Sequence, residues 1–325
     1  MTPCDVILTD AGNEVGYQVL RLLAAAGHRV IVCDRNPEAL RRHSKYAAVV
    51  RRTLAAQDER NFVRQIRRLE LEVGAGIIIP VFHPEVLSRH RDEFDAVIPT
   101  ADAGTLAMLD NKVSACSLAA KLGIPQPRIY DSPADVDRFP VTFKRALGHS
   151  GDSVYFPKSM APLEHLVANS RPGSYLITEE VHGFDASVDA IRWHGRFHAC
   201  AYKVLLPRAK GISIVRRSID APRMVEYARA IMEETGYEGV CGFDFRITPD
   251  GGVFFLECNP RFTGGVRSSA ASGLDLPVML CDLAAGKEVR EPRIRTGRLT
   301  VVWRELMRRT FSGGFRPGYL FRKRG

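Results

Sequence analysis

Residues 240–265 read VCGFDFRITPDGGVFFLECNPRFTGG, and this stretch decides how the chain folds. It holds two apolar runs separated by Asp250-Gly251, a pair that favours a two-residue hairpin turn because both turn positions need positive φ. The predicted pairs run from Thr248–Val253 beside the turn to Asp244–Glu257 further along the ladder. Directly paired residues have Cβ atoms about 4.5–5.5 Å apart, so the hairpin predicts two carboxylates side by side.

Two facing carboxylates repel each other, and one would become neutral unless a cation lay between them. Asn259 and Arg261 follow Glu257 at period two, which places the three side chains on one face of the strand. Carboxylate and amide oxygens suit Mg²⁺, which bridges to phosphate, and the planar arginine fork grips phosphate oxygens. The hairpin therefore predicts a magnesium–nucleotide site. The alternative is a solvated surface hairpin, which the many phenylalanines of both runs disfavour.

The composition is that of a globular chain with room for two or three domains. The 325 residues contain no apolar run near the ~20 residues of a membrane helix, and no basic leader that would indicate a signal peptide. Seven scattered cysteines without a CxxC pair predict reduced thiols in a cytoplasmic protein, with Cys258 packed in the core.

The net charge of +9 is carried by the end of the chain. Residues 290–325 hold eleven Arg or Lys and two Glu, so the preceding residues balance to zero. Such a basic, aromatic tail can bind nucleic acid, an anionic membrane surface or an acidic protein. We favour an acidic protein or carrier partner over nucleic acid, because the balanced body offers no second basic surface. The alternative is that Leu299–Trp303 forms a last strand and that the cations beyond it are solvated.

The first part of the chain alternates short apolar strands with helices, which predicts a parallel, doubly wound sheet. The predicted strands are Val6–Thr9, Arg29–Cys33, Gly76–Val81 and Ala96–Pro99. The turn TDAGNEVG at residues 9–16, with Asp34 after the second strand, is an incomplete dinucleotide fingerprint. Dinucleotide binding is therefore the alternative for this domain, and a substrate-side scaffold is the favoured interpretation.

Charged groups stand at strand ends in the middle of the chain. Lys144 ends a strand and precedes a glycine- and serine-containing loop, which can lay backbone N–H groups against phosphate. A later strand closes with Glu179-Glu180, where one carboxylate could accept from an adenine amino group, and Asp185 could hold ribose hydroxyls. The following connection carries four cations that could neutralise charge on a γ-phosphate; they are Arg208, Lys210, Arg216 and Arg217.

Taken in order, these residues resemble the ATP-grasp superfamily, in particular its carbamoyl-phosphate-synthase-like and carboxylate–amine ligase branch. The most specific piece is LECNPRFTGG at residues 256–265. The resemblance implies an α/β and α+β fold, in which a doubly wound parallel pre-grasp domain precedes a two-lobed ATP-grasp fold. The implied divisions are a pre-grasp domain at 1–112, a small lobe or lid at 113–180, a large lobe with the metal site at 181–289, and a basic tail at 290–325.

The resemblance also implies roles for single residues. ATP would be bound by Lys112, Lys144, Gly148, Ser150, Gly151, Ser153, Glu179, Glu180, Val181 and Asp185. Asp244, Glu257 and Asn259 would hold Mg²⁺, with Mn²⁺ as a substitute, and Arg261 would contact the phosphates together with Arg208, Lys210 and Arg217. Asp244 departs from the Glu or Gln of many relatives, and its shorter reach would alter the metal spacing.

The function that follows from the resemblance is an ATP- and Mg-dependent carboxylate–amine ligase that forms an acylphosphate and releases ADP and phosphate. The substrates would be a small carboxylate and a small amine, with Arg267 and Ser268 as candidate contacts. A homodimer is compatible with this interpretation. The alternatives are a carbamoyl-phosphate-type or carboxylase-like enzyme that activates bicarbonate, a nucleotide-binding regulator without catalysis, and an NAD-dependent oxidoreductase.

Overall fold

The first sheet is parallel and lies between two layers of helices. The computed structural model describes residues 5–36, 38, 45–54, 56–148, 153–207, 213–302 and 306–307. The strands are β1 (Asp5–Thr9), β2 (Arg29–Asp34), β3 (Val49–Arg52) and β4 (Ile77–Pro80), in the order β3-β2-β1-β4. The helices are α1 (Glu14–Ala25), α2 (Glu59–Val73), α3 (Pro84–Arg89) and α4 (Ala103–Asp110).

Alternation along β1 explains the two layers. Val6 and Leu8 pack into one buried cluster with α1, whereas Ile7 packs into another with α2. A strand covered on both faces is apolar throughout, as parallel strands require. The predicted doubly wound parallel sheet is confirmed, but Ala96–Pro99 makes only an isolated bridge from Val97 to Ile77, and β3 was not predicted.

The second sheet is small and antiparallel. Its strands are β5 (Ile129–Tyr130), β6 (Val141–Arg145), β7 (Val154–Tyr155) and β8 (Tyr175–Glu179), in the order β5-β8-β6-β7. It is accompanied by α5 (Lys112–Lys121) and α6 (Met160–Ala168). Phe143, Leu163 and Ile177 form its core.

The third sheet has six antiparallel strands in the order β13-β12-β9-β10-β11-β14. They are β9 (Phe184–Trp193), β10 (Arg196–Leu206), β11 (Val215–Ile219), β12 (Gly239–Ile247), β13 (Val253–Asn259) and β14 (Leu299–Val301). The remaining helices are α7 (Pro222–Glu234), α8 (Val266–Ser272) and α9 (Leu276–Ala284). The interpretation of Leu299–Trp303 as a last strand is confirmed for Leu299–Val301, which pairs with β11.

The basic tail beyond this strand lies outside the described residues except for Val302, Leu306 and Met307. The acidic-partner hypothesis therefore stays a prediction. Within the part of the chain that the structure describes, no helix is both long enough and apolar enough to cross a membrane.

The hairpin of β12 and β13 has the predicted carboxylate pair but not the predicted turn. Ile247, not Thr248, pairs with Val253, so the pairing predicted beside the turn is wrong. A β-bulge then adds one residue to β13 between Phe255 and Glu257, and Asp244 pairs with Glu257 as predicted. Because side chains alternate along a strand, the bulge lets Phe255 face the core while Glu257 faces a cavity.

Candidate active site

The candidate site is a cavity of ≈500 Å³ lined mainly by residues of the second and third sheets. Strands β6 and β8 contribute from the small sheet, and β9, β11, β12 and β13 contribute from the large one. The charged lining residues are Lys144, Glu179, Glu180, Asp185, Arg216, Asp244, Arg246, Glu257 and Arg261. Val181 and Asn259 also line it. The structure thus brings residues predicted for the nucleotide and for the metal into one cavity.

The carboxylate pair is held by short hydrogen bonds. Ser187 Oγ donates to Asp244 Oδ1 over 2.7 Å, and Asn259 Nδ2 donates to Asp244 Oδ2 over 3.2 Å. Arg261 Nη2 donates to Asn259 Oδ1 over 3.0 Å, which links the guanidinium to the same group. Burial and, second, the Glu257 charge raise the pKa of Asp244 to about 7, against the lowering by the Ser187 hydrogen bond.

These residues fit a magnesium ion. Two carboxylates and an amide are hard oxygen donors, and Mg²⁺ takes one or two carboxylates plus waters and phosphate oxygens. Burial and the neighbouring Glu257 charge raise the pKa of Asp244, and a bound cation would oppose both effects. The described residues contain no group of three or more His, Cys, Asp or Glu side chains arranged for a metal, so a metal here would rely on the nucleotide for further ligands.

The metal-free protein is expected to gain stability when Asp244 is replaced by asparagine. In the native state the pKa of Asp244 is about 7, against 3.8 for an unperturbed Asp. Between these values the native state holds a proton that the unfolded state has lost, so stability falls as pH rises through this window. Asp244→Asn removes that loss, and each kcal/mol regained would raise the Tm by about 2–4 °C in a domain of this size.

The measurement is thermal unfolding in EDTA at a pH below 4 and at a pH above 7, the limits set by the two pKa values. The variant should melt above the parent at the higher pH, and the difference should shrink at the lower pH. A difference of the same size at both pH values would contradict the assignment of the unfavourable charge to Asp244.

Two buried lysines surround Glu257. Lys112 begins α5, is 4% exposed, and places Nζ 3.3 Å from Glu257 Oε2. The same ammonium donates to the carbonyl oxygen of Gly148 over 2.9 Å, in the glycine- and serine-containing loop that follows Lys144. Lys144 is 8% exposed, and burial lowers the pKa of its ammonium while the Glu257 charge opposes that change. A buried cation near carboxylates and an open cavity is well placed to meet phosphate.

Two residues predicted to contact adenine and ribose, Glu179 and Asp185, are bonded to other residues of the protein. Glu179 forms an ion pair with Arg138 and accepts a hydrogen bond from the Arg128 backbone N–H over 3.0 Å. Its carboxylate therefore positions the strand end, which leaves Glu180 and the Val181 backbone to face a base. Asp185 forms an ion pair with Arg246 over 3.1 Å.

Of the four basic residues predicted to follow β10, the structure describes only Arg216 and Arg217. Arg208 and Lys210 lie outside the described residues, as do Ser150 and Gly151 of the lid loop. Arg217 is exposed, whereas Arg216 is buried and lines the cavity. Alternation along β11 accounts for this difference, because the strand presents Val215 and Arg217 on the opposite face from Arg216.

The two candidate substrate contacts do not reach the cavity. Arg267 is exposed on α8, and Ser268 is buried within that helix, where it accepts from Ser272 Oγ. The loop before α8 lines the cavity instead, through Thr263 and Gly264. Ser153, which follows the glycine- and serine-containing loop after Lys144, is buried and lies against Gly148.

Sequence reasoning missed Phe82 and Phe156. Phe82 follows β4 and lies under the Arg261 guanidinium. The central carbon of the guanidinium is 4.7 Å from the centre of the Phe82 ring. Its position at the carboxyl end of a parallel strand, where α/β sheets place their ligand sites, was an available signal. Phe156 lines the cavity and is 52% exposed, which suits a platform for a planar base. No periodicity marks a single aromatic after a two-residue strand.

A smaller cavity of ≈230 Å³ adjoins the first sheet and shares Phe82 with the large one. It is lined by Asp10, Asn13, Asp34, Arg35, Gln57, Phe82 and His83. Asp34 Oδ2 accepts from the Gly12 N–H over 2.8 Å, so this carboxylate orders the turn. The pKa of Asp10 is raised to about 6, mainly because the carboxylate is buried, and the charge of His83 opposes this rise. The charged lining residues are thus the carboxylates Asp10 and Asp34 together with Arg35 and His83.

Comparison by sequence gives two matches. Residues 172–306 match a protein family described as ATP-grasp in the biosynthetic pathway with Ter operon. The 5-formaminoimidazole-4-carboxamide-1-(beta)-D-ribofuranosyl 5'-monophosphate synthetase of Pyrobaculum neutrophilum is 26% identical over 175 residues, which are 54% of this chain and 49% of that protein. The chain thus spans about half the length of this curated relative.

Comparison of structures covers nearly the whole chain. The biotin carboxylase domain dimer of Hydrogenobacter thermophilus 2-oxoglutarate carboxylase, solved with MgADP, ADP and bicarbonate, gives a TM-score of 0.73 at 17% identity, covering 92% of this chain and 74% of that one. The ADP complex of N5-carboxyaminoimidazole ribonucleotide synthetase gives 0.74 at 13% identity, covering 95% and 87%. The biotin carboxylase of Campylobacter jejuni, in a β,γ-ATP complex, gives 0.72 at 17% identity, covering 89% and 73%.

The fold is therefore the ATP-grasp fold, and residues 172–306 match an ATP-grasp family. At these identities the solved structures establish the likeness of fold.

Proposed function

We propose that the protein is an ATP- and Mg²⁺-dependent carboxylate–amine ligase that forms an acylphosphate and releases ADP and phosphate. The observation that carries the proposal is the pair of Asp244 and Glu257, opposed on neighbouring strands of a cavity that also contains Lys144 and Arg216. Opposed carboxylates beside buried cations suit a metal–polyphosphate group, whose charges satisfy both signs at once.

The expected nucleotide contacts follow from the cavity lining and, for Lys112, which does not line the cavity, from its ion pair with Glu257. Phe156 and the Val181 backbone would meet the base, Asp185 the ribose, and Lys112 and Lys144 the phosphates. Mg²⁺ held by Asp244, Glu257 and Asn259 would neutralise charge on the phosphate oxygens during transfer. Arg261, which packs on Phe82, and Arg216 would meet the transferred group from the protein side.

Direct transfer to a substrate is supported by the side chains of the cavity. Among the described residues that line it, neither His nor Cys is present, and its serines have no such base beside them. A covalent enzyme intermediate of the Ser–His or Cys–His type therefore has no candidate here. The remaining catalytic means are positioning and charge stabilisation, which suffice for phosphoryl transfer to a carboxylate oxygen.

An amine as second substrate is supported by the adjoining cavity. Its carboxylates Asp10 and Asp34 would attract a protonated amine to a place separated from the nucleotide cavity by Phe82. The amine nitrogen would attack the acyl carbon, the bond from carbon to the phosphate oxygen would break, and phosphate would leave. A protonated amine must lose one proton before its nitrogen attacks and a second proton afterwards. Asp10, whose pKa burial raises to about 6, would accept one of them, and solvent would accept the other.

Activation of bicarbonate is the second candidate, since the solved structures of like fold include a carboxylase domain with bicarbonate bound. The difference lies in the acceptor of the phosphoryl group. A small-carboxylate substrate leaves an acylphosphate that hydroxylamine converts to a stable hydroxamate, whereas a bicarbonate-activating enzyme responds to bicarbonate alone.

The test is ADP release from MgATP with a panel of small carboxylates, amino acids and bicarbonate, each with hydroxylamine. We expect one or more organic carboxylates to stimulate ADP release, with hydroxamate formed in equal amount and detected by mass spectrometry. Release of AMP and pyrophosphate would overturn the proposal. Stimulation by bicarbonate alone would favour the second candidate, and ATP binding without turnover under all conditions would favour a regulator.

A further inference from the structure

Arg216 is a buried cation with two guanidinium nitrogens that make no hydrogen bond to the described residues. It is 9% exposed, and its Nε and Nη1 atoms are buried without a hydrogen-bond partner among the described residues. It nevertheless lines the nucleotide cavity, and its charge lowers the pKa of Asp244 there. An unsatisfied buried guanidinium is costly. An anionic ligand group in the cavity would supply the missing acceptors.

The guanidinium rests on Tyr202. Its central carbon lies 5.2 Å from the centre of the Tyr202 ring, a cation–π distance. The Tyr202 hydroxyl is buried close to Asp189, although it has no hydrogen-bond partner among the described residues. A Cβ placed on Gly265 would lie 1.8 Å from the Tyr202 hydroxyl oxygen and 1.9 Å from Asp189 Oδ2, so these two oxygens face each other.

Asp189 is a second buried charge that the proposed chemistry does not use. It is 2% exposed, accepts from Thr263 Oγ1 over 2.7 Å and from Ser269 Oγ over 3.3 Å. Burial raises the pKa of Asp189, and Tyr202, then Arg216, lower it again. Thr263 and Arg216 both line the nucleotide cavity. Asp189 contacts Thr263 directly, and the Tyr202 ring lies between Asp189 and Arg216.

Two glycines leave the space that this arrangement needs. A Cβ on Gly265 would meet the Tyr202 hydroxyl and Asp189 at 1.8 Å and 1.9 Å, and a Cβ on Gly242 would lie 2.1 Å from Thr263 Cγ2. Such distances cannot be tolerated without movement of the neighbours. Close packing on both sides therefore fixes Asp189, Tyr202 and Thr263 in place.

We propose that Asp189 is a positioning residue that, through Tyr202, holds Arg216 ready for the γ-phosphate of the nucleotide. This inference rests on the proposed function. A carboxylate bonded directly to Arg216 would occupy its N–H groups. With the tyrosine ring between them, Asp189 supplies a counter-charge but leaves those N–H groups to the ligand, and this preorganises the contact.

The test compares the affinities of a non-hydrolysable ATP analogue, AMP-PNP, and of ADP by calorimetric titration with Mg²⁺ present. The ratio of the two affinities reports contacts to the γ-phosphate. We expect Arg216→Gln to lower this ratio by about tenfold, and Asp189→Asn, which keeps size and shape, to lower it several-fold. The double variant should match Arg216→Gln alone, because residues acting in one network are not additive.

Exposed Asp220, just after β11, provides the matched control, and Asp220→Asn should leave the ratio unchanged. An unchanged ratio in Asp189→Asn alongside a reduced ratio in Arg216→Gln would overturn the inference and leave the proposed function standing. Failure of the parent protein to bind either nucleotide would instead overturn the proposed function.

A second variant decides the matter if Asp189→Asn does not fold. Tyr202→Phe keeps the ring under Arg216 and removes only the hydroxyl that faces Asp189. A lowered ratio at an unchanged Tm would support the inference. An unchanged ratio would overturn it, because the connection between Asp189 and the arginine would then be without effect.

Discussion

Glu257→Gln is expected to reduce ATP turnover by at least about a hundredfold while the fold is retained. The substitution removes a charge and almost no volume, and Glu257 is the only carboxylate paired with Asp244 across the hairpin. Loss of an outer-sphere partner of a metal already costs about 10–100-fold, so loss of a ligand should cost at least the upper value. The measurement is ADP release from MgATP under the conditions that stimulate the parent.

Glu226→Gln, on the exposed face of α7, is the matched control and should behave like the parent. The variant at Glu257 should also lose the ion pair with Lys112, which lies 3.3 Å away in the parent. Far-ultraviolet circular dichroism and thermal unfolding establish whether the variant is folded. Parental turnover in a folded Glu257→Gln protein would remove this hairpin from the active site.

Lys144→Ala is expected to weaken ATP binding by roughly tenfold to a hundredfold. The ammonium is 8% exposed beside the cavity, and a charge-assisted hydrogen bond is worth about 1.5–3 kcal/mol. Burial lowers the pKa of Lys144 in the ligand-free protein. Phosphate should raise it again, so ATP binding should take up protons where the free lysine is partly neutral.

The measurement is calorimetric titration of ATP with Mg²⁺ in two buffers of different ionisation enthalpy, which reports affinity and proton uptake together. Lys121→Ala, at the exposed end of α5, is the matched control. An unchanged dissociation constant in the Lys144 variant would exclude this lysine from the phosphate site.

Much of the fold could be predicted because its strands carry clear periodicity. The centre of β1, Val6–Leu8, is apolar at consecutive positions, and this pattern is typical of a parallel strand covered on both faces. β3 ends with Arg51 and Arg52, which are both exposed, so no apolar pattern indicated a strand there. Val97 lies in a single bridge, because the segment after it turns away toward α4.

The candidate site could be predicted only where strand alternation was readable. The pairing of Asp244 with Glu257 was predicted correctly, although the pairing beside the turn was not. The observed turn shifts the strand pairing by one residue from the prediction, and the β-bulge shifts it back by one residue. Arg216 could not be separated from Arg217, because the phase of a five-residue strand depends on its neighbours. Thr263 and Gly264 lie in a loop, where no periodicity applies.

The central claim is that the hairpin holds a magnesium–nucleotide complex, and its most direct test is ATP binding as a function of Mg²⁺. Calorimetric titration of ATP into the parent and into Glu257→Gln, each in Mg²⁺ and in EDTA, measures this. We predict that Mg²⁺ strengthens binding to the parent and that Glu257→Gln abolishes this strengthening while it keeps the binding measured in EDTA. Equal strengthening by Mg²⁺ in both proteins would contradict the claim.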